Sequence, residues 1–474
     1  MSAAPGPSAS SVTLSRPGPG PFPNWMMLEP FVFRRDDKES FPDDIKAYLS
    51  VSGTTSWNAP FRIAFVLKEP PLPSRLYAHL PCFPDPRRHI PLAILATHRH
   101  LILLRIATDA PGRGLLQDFL IYSAYYSSSF KSLPPCTQPY TDYTKKETGD
   151  SLPRDHPLPK DKQRLLMVQS MVHMEFAVVE LRVFTSKSSK VYADLCFIRS
   201  STSVAPVVGG RWESVRVPIL DSSKDSWNLC CWQTDTIVPF NRSLCWVDYH
   251  RGMIICDPFG DPIPTVSFLP LPIDKPTCAH THYQVKPASW LYRGVSAIDD
   301  HRVLNFINVI RHDGIGYGAL KPGSGFTITS HTFGRGTSWT LNYEITSAKL
   351  WSSNPCLPHT ILTFPQVNVN RPYMVQFLMS EPKYVIKRMW VVVINMRTGR
   401  VESFSQYING KEGLKGDDAD FTRIRSGAPA SFIPCEFFKF LRHSQADEGA
   451  FDDVHQDKQN NYIQSGGSIV LGEN

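Results

Sequence analysis

The chain has 474 residues, of which 42% are apolar, 20% charged and 11% aromatic. This is the composition of a globular protein with a sizeable core, and it excludes a fibrous or wholly disordered chain. The longest apolar runs, such as Met389 to Ile394, have the length of a strand and fall well short of the ~18 residues that a membrane span needs. The sequence therefore predicts that the protein has no membrane partner.

The net charge is +7, but it is unevenly distributed. Residues 443–474 hold six acidic residues and one basic residue, so removing their −5 leaves the rest of the chain at +12. The basic residues of that body are scattered in short groups such as Arg87-Arg88 and Lys387-Arg388, with no run of five or more. This pattern is typical of a solvated, mildly basic surface and argues against a nucleic-acid partner.

The ten cysteines contain no C-x-x-C pair, and several lie inside apolar runs, where a thiol behaves as a small hydrophobe. Reduced cysteines predict an intracellular protein of the cytoplasm or nucleus. Residues 1–23 are rich in Pro, Gly, Ser and Ala, lack a secretory signal and are expected to be a disordered leader. They contain no acidic residue, as in an organellar transit peptide, but Arg16 is their single basic residue, so the indication of organellar targeting is weak.

Strands are predicted almost throughout the body. After the leader, four apolar segments separated by turn residues read as strands: Trp25 to Arg34, Ile45 to Val51, Phe61 to Lys68 and Arg75 to Leu80. The best helix candidate is Pro434 to Arg442, with proline in its first turn and a cationic end.

A compound unit recurs further along the chain, and its clearest copy spans residues 236–272. The runs at 244–249 and 253–256 are apolar at successive positions and predict inner strands buried on both faces. The run at 265–272 alternates apolar and polar residues and predicts an outer strand with one wet face. Similar units are read at Leu92 to Pro134, Phe176 to Pro218, Val295 to Ile345 and Tyr373 to Tyr407.

Five such units predict an all-β fold, a β-propeller-like repeat of antiparallel blades, because each unit exposes a sheet face that only a neighbour can cover. Packed β-sandwiches would show the same alternation and are the alternative. The predicted organisation is a disordered leader at 1–23, one β-rich propeller-like domain at 24–442 and a flexible acidic tail at 443–474.

Several residue groups are candidates for a site. Cys278, His280 and His282 share one face of an extended segment, and zinc would need Cys256 or His301 as a fourth ligand. The spacing matches no standard zinc pattern, so an ordinary loop is the favoured reading.

Asp248 and Asp257 each end a predicted strand and would suit acid–base chemistry only as a close pair. Aspartates at strand ends are more often turn residues that bond the local backbone, and this reading is favoured. Gly314 to Gly318 lacks the pattern of a phosphate loop, and Ser324 lacks a nucleophile elbow. The tryptophans at recurring strand positions read as core, rather than as stacking platforms for sugars or bases: Trp212, Trp246, Trp339 and Trp390.

The segment from 232 to 272 resembles a grass-expanded plant family called domain of unknown function 1618. The family-like residues of this segment are Trp232, Asp235, Leu244, Trp246, Asp248, Gly252 and Asp257. Weaker similarity at Trp25 to Phe33, Ala177 to Leu181 and Trp339 to Glu344 extends the resemblance to roughly residues 24–442. The resemblance implies a plant protein and supplies no catalytic residues.

The sequence therefore predicts no catalytic, cofactor-binding or metal-binding residue and no cofactor. The favoured hypothesis is a non-catalytic module that recognises a protein or peptide partner through loops at one end of the domain. The candidate loops are Pro134 to Lys160, Thr277 to Ala288 and Ile310 to Gly325. The alternative is an enzyme whose site is assembled from several units.

Overall fold

In a computed structural model, the described part of the chain is nearly all β, with two short helices inside the body. The structure describes residues 12–14, 24–37, 39–42, 47, 49–83, 91–110, 114–124, 130–134, 166–169, 176–185, 191–200, 211–220, 229, 232–260, 263–273, 288–334, 338–380, 388–408 and 431–440. No helix in these ranges is long and apolar enough to cross a membrane.

The strands form six units that follow one another along the chain, which we number 1 to 6. Unit 1 comprises β1 (Val12–Leu14), β2 (Met26–Arg34), β3 (Leu49–Thr54), β4 (Pro60–Val66), β5 (Ser74–His79) and the C-terminal β26 (Ile433–Cys435). Unit 2 comprises β6 (Leu92–His98), β7 (Leu101–Ala110), β8 (Gly114–Ser123) and β9 (Lys131–Ser132). Unit 3 comprises β10 (Leu166–Gln169), β11 (Phe176–Thr185), β12 (Val191–Arg199) and β13 (Glu213–Leu220).

Units 4 to 6 complete the series. Unit 4 comprises β14 (Thr236–Phe240), β15 (Ser243–Asp248), β16 (Gly252–Asp257) and β17 (Thr265–Pro270). Unit 5 is preceded by helix α1 (Ser289–Tyr292) and comprises β18 (Arg293–Ile298), β19 (Val303–Arg311), β20 (Phe326–Phe333) and β21 (Thr340–Thr346). Helix α2 (Ser347–Ser353) leads to unit 6, which comprises β22 (Thr363–Asn368), β23 (Arg371–Ser380), β24 (Met389–Asn395) and β25 (Arg400–Ile408).

Within units 2 to 6, consecutive strands pair antiparallel, and several of them are joined by short turns. Units 3 and 4 merge into one eight-stranded sheet through a short parallel pairing of β13 with β17, Ile219 opposite Val266. Unit 1 differs, since β2 pairs parallel with β5 and antiparallel with β26, so one sheet holds strands from both ends of the described body.

Five apolar clusters connect the units in chain order and then connect unit 6 to unit 1. They join units 1 and 2, units 2, 3 and 4, units 4 and 5, units 5 and 6, and units 6 and 1. Successive residues of a strand point to opposite faces, so one strand serves two clusters. The residue pairs that do so are Ala64 and Phe65 in unit 1, Leu103 and Leu104 in unit 2, Trp246 and Val247 in unit 4, Phe306 and Ile307 in unit 5, and Phe377 and Leu378 in unit 6.

The first strands of several neighbouring units, with β2 taking this place in unit 1, also contact one another. Strand β6 contacts both β2 and β10, and β18 contacts both β14 and β22. The closest approach is at Gly294 in β18, where an added Cβ would lie 2.2 Å from the carbonyl oxygen of Pro365 in β22. A side chain at this position would force the two strands apart, which explains the glycine.

The prediction of an all-β fold is confirmed, and the five predicted repeats correspond to units 2 to 6. In unit 4 the strands predicted as inner are buried at nearly every position, and β17 alternates as predicted. The four N-terminal segments form unit 1, a sixth unit that the repeat analysis did not count. Several sheets packed in this way are compatible with either the predicted propeller or packed sandwiches.

Two local predictions need correction. The predicted helix at 434–442 begins as strand β26, and helical turns cover only 437–440 of the described residues. Pro434 is tolerated there because β26 is an edge strand. Val12–Leu14, inside the leader expected to be disordered, pairs with β3. The rest of that leader and the predicted acidic tail lie outside the described residues.

Candidate functional site

The family-like aspartates of unit 4 hold its turns together. The fully buried carboxylate of Asp248 accepts hydrogen bonds from the backbone N–H of Gln233 at 3.0 Å and of His250 at 2.9 Å. It also forms an ion pair with Arg251 at 2.7 Å. Asp257 accepts from the backbone N–H of Phe259 at 2.9 Å. The favoured reading of both aspartates as turn residues is therefore confirmed.

Asp235 and Arg293 extend this network towards unit 5. Asp235 accepts the backbone N–H of Tyr249 at 2.8 Å, and Arg293 donates to the carbonyl oxygen of the same tyrosine. Burial lowers the pKa of Arg293 to about 10, against the opposing effect of Asp235 and Asp248. The arginine therefore stays charged at neutral pH, where the negative charges of the partly buried Asp235 and the buried Asp248 favour its charged form.

The other family-like residues are packing residues. Trp246 is 1% exposed and Leu244 is equally buried, so both predictions of core positions hold. Gly252 has no room for a side chain, since an added Cβ would lie 2.6 Å from the carbonyl oxygen of Leu269. Trp232 packs edge-on against Phe268. The motif therefore encodes the packing and the turns of unit 4.

The remaining tryptophans differ in burial. Trp212 is buried and donates to the carbonyl oxygen of Pro134 at 2.8 Å. Trp339 and Trp390 are only partly buried; Trp339 donates to the carbonyl oxygen of Pro270, and Trp390 stacks on the exposed Phe404. The predicted core role therefore holds fully for Trp212 and only in part for Trp339 and Trp390.

The candidate zinc ligands Cys278, His280 and His282 lie outside the described residues. Cys256 is buried, and burial, together with the charge of Asp257, raises the pKa of its thiol to about 12, so it stays protonated. Across the ranges that the structure describes, no group of three His, Cys, Asp or Glu side chains is arranged to hold a metal ion.

Of the three predicted recognition loops, the one between β19 and β20 is described completely. It leaves β19 at Arg311, whose guanidinium binds both carboxylate oxygens of Asp313, at 2.9 and 2.7 Å. Both side chains are almost inaccessible to solvent. A two-pronged pair of this kind fixes the relative orientation of its partners as well as attracting them.

The same pair organises the rest of the loop. Arg311 also donates to the carbonyl oxygens of Gly318 and Ala319 and to the hydroxyl of Tyr292. Asp313 accepts from the backbone N–H groups of Ile315 and Lys321. The Arg311 hydrogen bond, the backbone donors and the Arg311 charge outweigh burial and hold the pKa of Asp313 well below its usual value.

The outer part of this loop presents an aromatic side chain. Tyr317 is 71% exposed, the most exposed large hydrophobic residue in the described part of the chain. It lies between Gly316 and Gly318, and Gly318 adopts a left-handed backbone that suits glycine. Ser324 sits in the closing turn, where its N–H donates to the carbonyl oxygen of Lys321. We call residues 311–326 the tyrosine loop.

The sequence identified the tyrosine loop by its length and composition, but it did not identify Arg311, Asp313 or Tyr317 individually. The one local signal was Asp313-Gly314, a pair typical of turns. Nothing in the sequence showed that Arg311 would fold back onto carbonyl groups seven and eight residues later.

Comparison with known proteins gives limited information. No curated protein matches the chain. Among solved structures, it is similar to a polysaccharide lyase PL25, an ulvan lyase, at 8% identity, with 81% of this chain and 86% of that chain covered and a TM-score of 0.33. A mutant levansucrase from B. megaterium matches at 9% identity, with 66% and 83% covered and a TM-score of 0.22.

Such TM-scores carry no argument about fold or activity. The family comparison is more direct, although Trp232, Asp235 and Leu244 precede its span. Residues 246–376, from the middle of unit 4 to the middle of unit 6, match the model of the family described as Protein of unknown function (DUF1618), the family that the sequence resembles.

Proposed function

We propose that the protein is a non-catalytic recognition module in which a propeller of six units presents the tyrosine loop to a protein or peptide partner. The propeller is supported by the closed series of apolar clusters, because a sandwich of two sheets gives no reason for unit 6 to pack on unit 1. The contacts among the first strands support the same arrangement, since those strands surround the axis of a propeller.

The observation that carries the functional proposal is the tyrosine loop itself. An exposed aromatic residue on a flexible loop would lose much of its binding energy to ordering of the backbone. Here the Arg311–Asp313 ion pair already holds the loop backbone in one conformation. The exposed Tyr317 therefore needs little further ordering of the backbone when a partner binds. Tyrosine supplies large contact area with few rotatable bonds and is enriched among the residues that dominate protein interfaces.

The compartment and origin follow the sequence analysis. The six cysteines that the structure describes are all free, which supports a reducing, intracellular compartment. The plant origin that the family resemblance implies is part of the same proposal. A peptide partner fits better than a nucleic acid, because the loop offers Tyr317 and Ile315 beside the exposed Lys321, while its arginine, Arg311, is buried in the ion pair with Asp313.

A selection from a displayed peptide library tests the proposal. Peptides enriched on the wild-type protein should bind Tyr317→Ala at least about tenfold more weakly, which corresponds to about 1.4 kcal/mol. The matched control is Phe404→Ala, which removes another exposed aromatic ring on unit 6. Enriched peptides that bind both variants as well as wild type would contradict the role of the tyrosine loop.

The enzyme alternative is tested in parallel by incubating wild-type protein with a mixture of metabolites and following their loss. Turnover that survives Tyr317→Ala, without any peptide enrichment, would replace the recognition module by an enzyme.

A further inference from the structure

Basic side chains collect on the surface of unit 6 where it faces unit 5. They are Lys349 of helix α2, Arg371 at the start of β23 and Arg397 in the turn between β24 and β25, and all three residues are exposed. We call these three residues the basic patch.

Contacts with two tyrosines hold Arg397 at the joint between units 5 and 6. The guanidinium carbon of Arg397 lies 4.0 Å from the centre of the Tyr373 ring, and its Nε donates to the hydroxyl of Tyr343 in unit 5 at 3.3 Å. Arg371 precedes Tyr373 by two residues in β23, so the two side chains lie on the same face of that strand. Arg371 and Arg397 therefore lie on the same side of unit 6.

Lys349 approaches the same turn from helix α2. Its Cε lies 3.9 Å from the position that a Cβ on Gly399 would occupy. Asn354, directly after α2, fastens the end of the helix to this turn. Its side chain donates to the carbonyl oxygen of Gly399 at 3.1 Å and accepts from the backbone N–H of Val401 at 2.9 Å. Lys349 and Arg397 are therefore held beside one turn.

The acidic residues near the basic patch do not balance its charge. Glu402 is the single acidic residue that the structure describes within residues 347–408. Its carboxylate accepts from the side chain of Asn395 at 2.9 Å, and Asn395 stands opposite Arg400, so Glu402 offsets Arg400. Glu344 of unit 5 is next to Tyr343 in β21 and points to the other face of that strand. The basic patch thus keeps three positive charges.

Strands β18 and β22 lie side by side and run in the same direction. Gly294 of β18 lies against Pro365 of β22, and further along both strands Ser296 accepts a hydrogen bond from Gln366 at 3.2 Å. The turns that follow the two strands therefore lie at the same end of the body. These turns are residues 299–302 and 368–371, and the second of them leads into Arg371.

The C-terminal segment leaves the body at this same end. The carboxylate of Glu436 lies 3.3 Å from Nε2 of His301, in the turn at residues 299–302. Phe440 is the last residue that the structure describes, and its ring lies edge-on to His100, 6.0 Å between centroids. The part of the chain after Phe440 therefore begins at the end of the body where Arg371 lies.

That part of the chain has the opposite charge. Residues 447–457 contain five acidic residues and no Lys or Arg: Asp447, Glu448, Asp452, Asp453 and Asp457. They follow Phe440 by seven to seventeen residues, which span at most about 25 to 60 Å of extended chain. A body of the size of residues 24–442 has a radius of roughly 25–30 Å, so this segment is long enough to reach the basic patch.

We propose that residues 447–457 of this chain dock on the basic patch. Each contact between exposed charges is weak alone, but several act together, and the tether supplies the segment at an effective concentration of about 1 mM. The contact is therefore reversible and weakens as salt screens it. The inference goes beyond the proposed function, because no residue of the basic patch belongs to the tyrosine loop.

The first test is cross-linking of the full chain with a carbodiimide, which joins a lysine amine to a carboxylate in contact with it. Lys349 should join to residues 447–457 at least about fivefold more often than Lys321, an exposed lysine of the tyrosine loop. The excess should disappear in about 1 M NaCl, where charges are screened beyond about 3 Å, and persist in about 10 mM NaCl.

The second test removes two of the three charges and keeps Lys349 as the reporter. The double variant Arg371→Gln and Arg397→Gln should lower the cross-links between Lys349 and residues 447–457 at least about threefold. The matched control is Arg388→Gln, which removes an exposed arginine of unit 6 at the other end of β24. It should change the yield less than about 1.5-fold. Thermal melting checks that each variant is folded.

The third test does not alter the basic patch. In the full chain, the five acidic residues of 447–457 are replaced by Asn or Gln, and a labelled peptide with the wild-type sequence of 447–457 is added. The peptide should bind this variant at least about fivefold more tightly than wild type, in which the tethered segment competes. A control peptide with Asn and Gln at the five positions should not bind either protein.

The proposal is overturned if Lys349 and Lys321 join to residues 447–457 equally often, or if Arg388→Gln lowers the yield as much as the double variant. Equal binding of the peptide to wild type and to the neutralised variant also overturns it. So do cross-links that form only between labelled and unlabelled copies, because the segment would then dock on a second molecule. These outcomes are independent of the loss of displayed peptides in Tyr317→Ala.

Discussion

The two ends of β19 stabilise their loops in opposite ways. At Arg311 the chain enters the tyrosine loop. There the two side chains of the Arg311–Asp313 ion pair also form hydrogen bonds with four backbone groups. At Val303 the chain leaves the turn at residues 299–302, where Nδ1 of His301 is buried without a hydrogen-bond partner among the described residues, as is Nη1 of Arg99 in the turn at residues 99–100. The first loop therefore has its polar groups satisfied, whereas these turns carry the cost of buried polar atoms without partners.

The largest expected difference between the two ends of β19 is in how the free energy of unfolding changes as the pH falls. The pKa of His100 lies at about 3 in the folded protein, below the ~6.5 of an unfolded chain, so the unfolded state binds the proton first. This contribution to stability is complete above pH 6.5 and falls by about 1.4 kcal/mol per pH unit as the pH drops towards 3. Urea unfolding should therefore show a loss of roughly 2–3 kcal/mol between pH 6.5 and 4.5 from His100 alone.

His100→Gln should flatten this slope, because glutamine does not titrate. His312→Gln is the control at the other end, since His312 is an exposed residue of the tyrosine loop. The tyrosine loop itself should not respond in this range. The pKa of Asp313 is lowered, so its contribution is present above pH 4 and is lost only as the pH falls further. Equal slopes in wild type and His100→Gln would refute the assignment.

The next largest effect is expected when the scaffold of the tyrosine loop is removed. Asp313→Ala leaves Arg311 and two backbone N–H groups without their acceptor, and it should lower the free energy of unfolding by about 2–3 kcal/mol. Limited proteolysis should then cleave within residues 314–322. Glu344→Ala, which removes an exposed acidic residue from β21 of the same unit, is the control and should leave both measurements unchanged. An intact tyrosine loop in Asp313→Ala would show that the ion pair does not order it.

A smaller effect of opposite sign is expected at Arg99, in the turn at residues 99–100. Arg99→Asn relieves a left-handed arginine and removes a buried unpaired donor, so it should raise the free energy of unfolding by up to about 1 kcal/mol in chloride. Thermal melting provides the measurement. A clear loss of stability would mean that Arg99 already has a stabilising role.

The smallest effect on stability is expected at Tyr317. Its ring is exposed, so Tyr317→Ala should change the free energy of unfolding by less than about 0.5 kcal/mol. Chemical unfolding would check this, with peptide binding measured on the same samples. A large loss of stability would mean that the Tyr317 ring stabilises the fold, and it would argue against a role in recognition.

Short-range patterns in the amino-acid sequence are enough to predict the fold class and the repeated units. Alternation along β17, the two-sided burial of the strand around Trp246 and the turn role of Asp248 and Asp257 all follow from nearest-neighbour patterns, which act over a few residues. These patterns gave five of the six units. They mispredicted the segment at Pro434. Its residues are typical of a helix start, but they pair instead with β2, a strand about four hundred residues earlier.

How the units pack, and which groups meet at either end of β19, depends on the three-dimensional arrangement of the strands. His98, His301 and Glu436 come from three distant parts of the chain, and no spacing in the sequence relates them. Arg311 and Asp313 are close in sequence, but the carbonyl groups that Arg311 binds depend on the path of the whole loop. Local periodicity reports which face of a strand is buried, whereas contacts between side chains depend on how the strands are placed in space, and this is why the sequence predicted the units and not the sites.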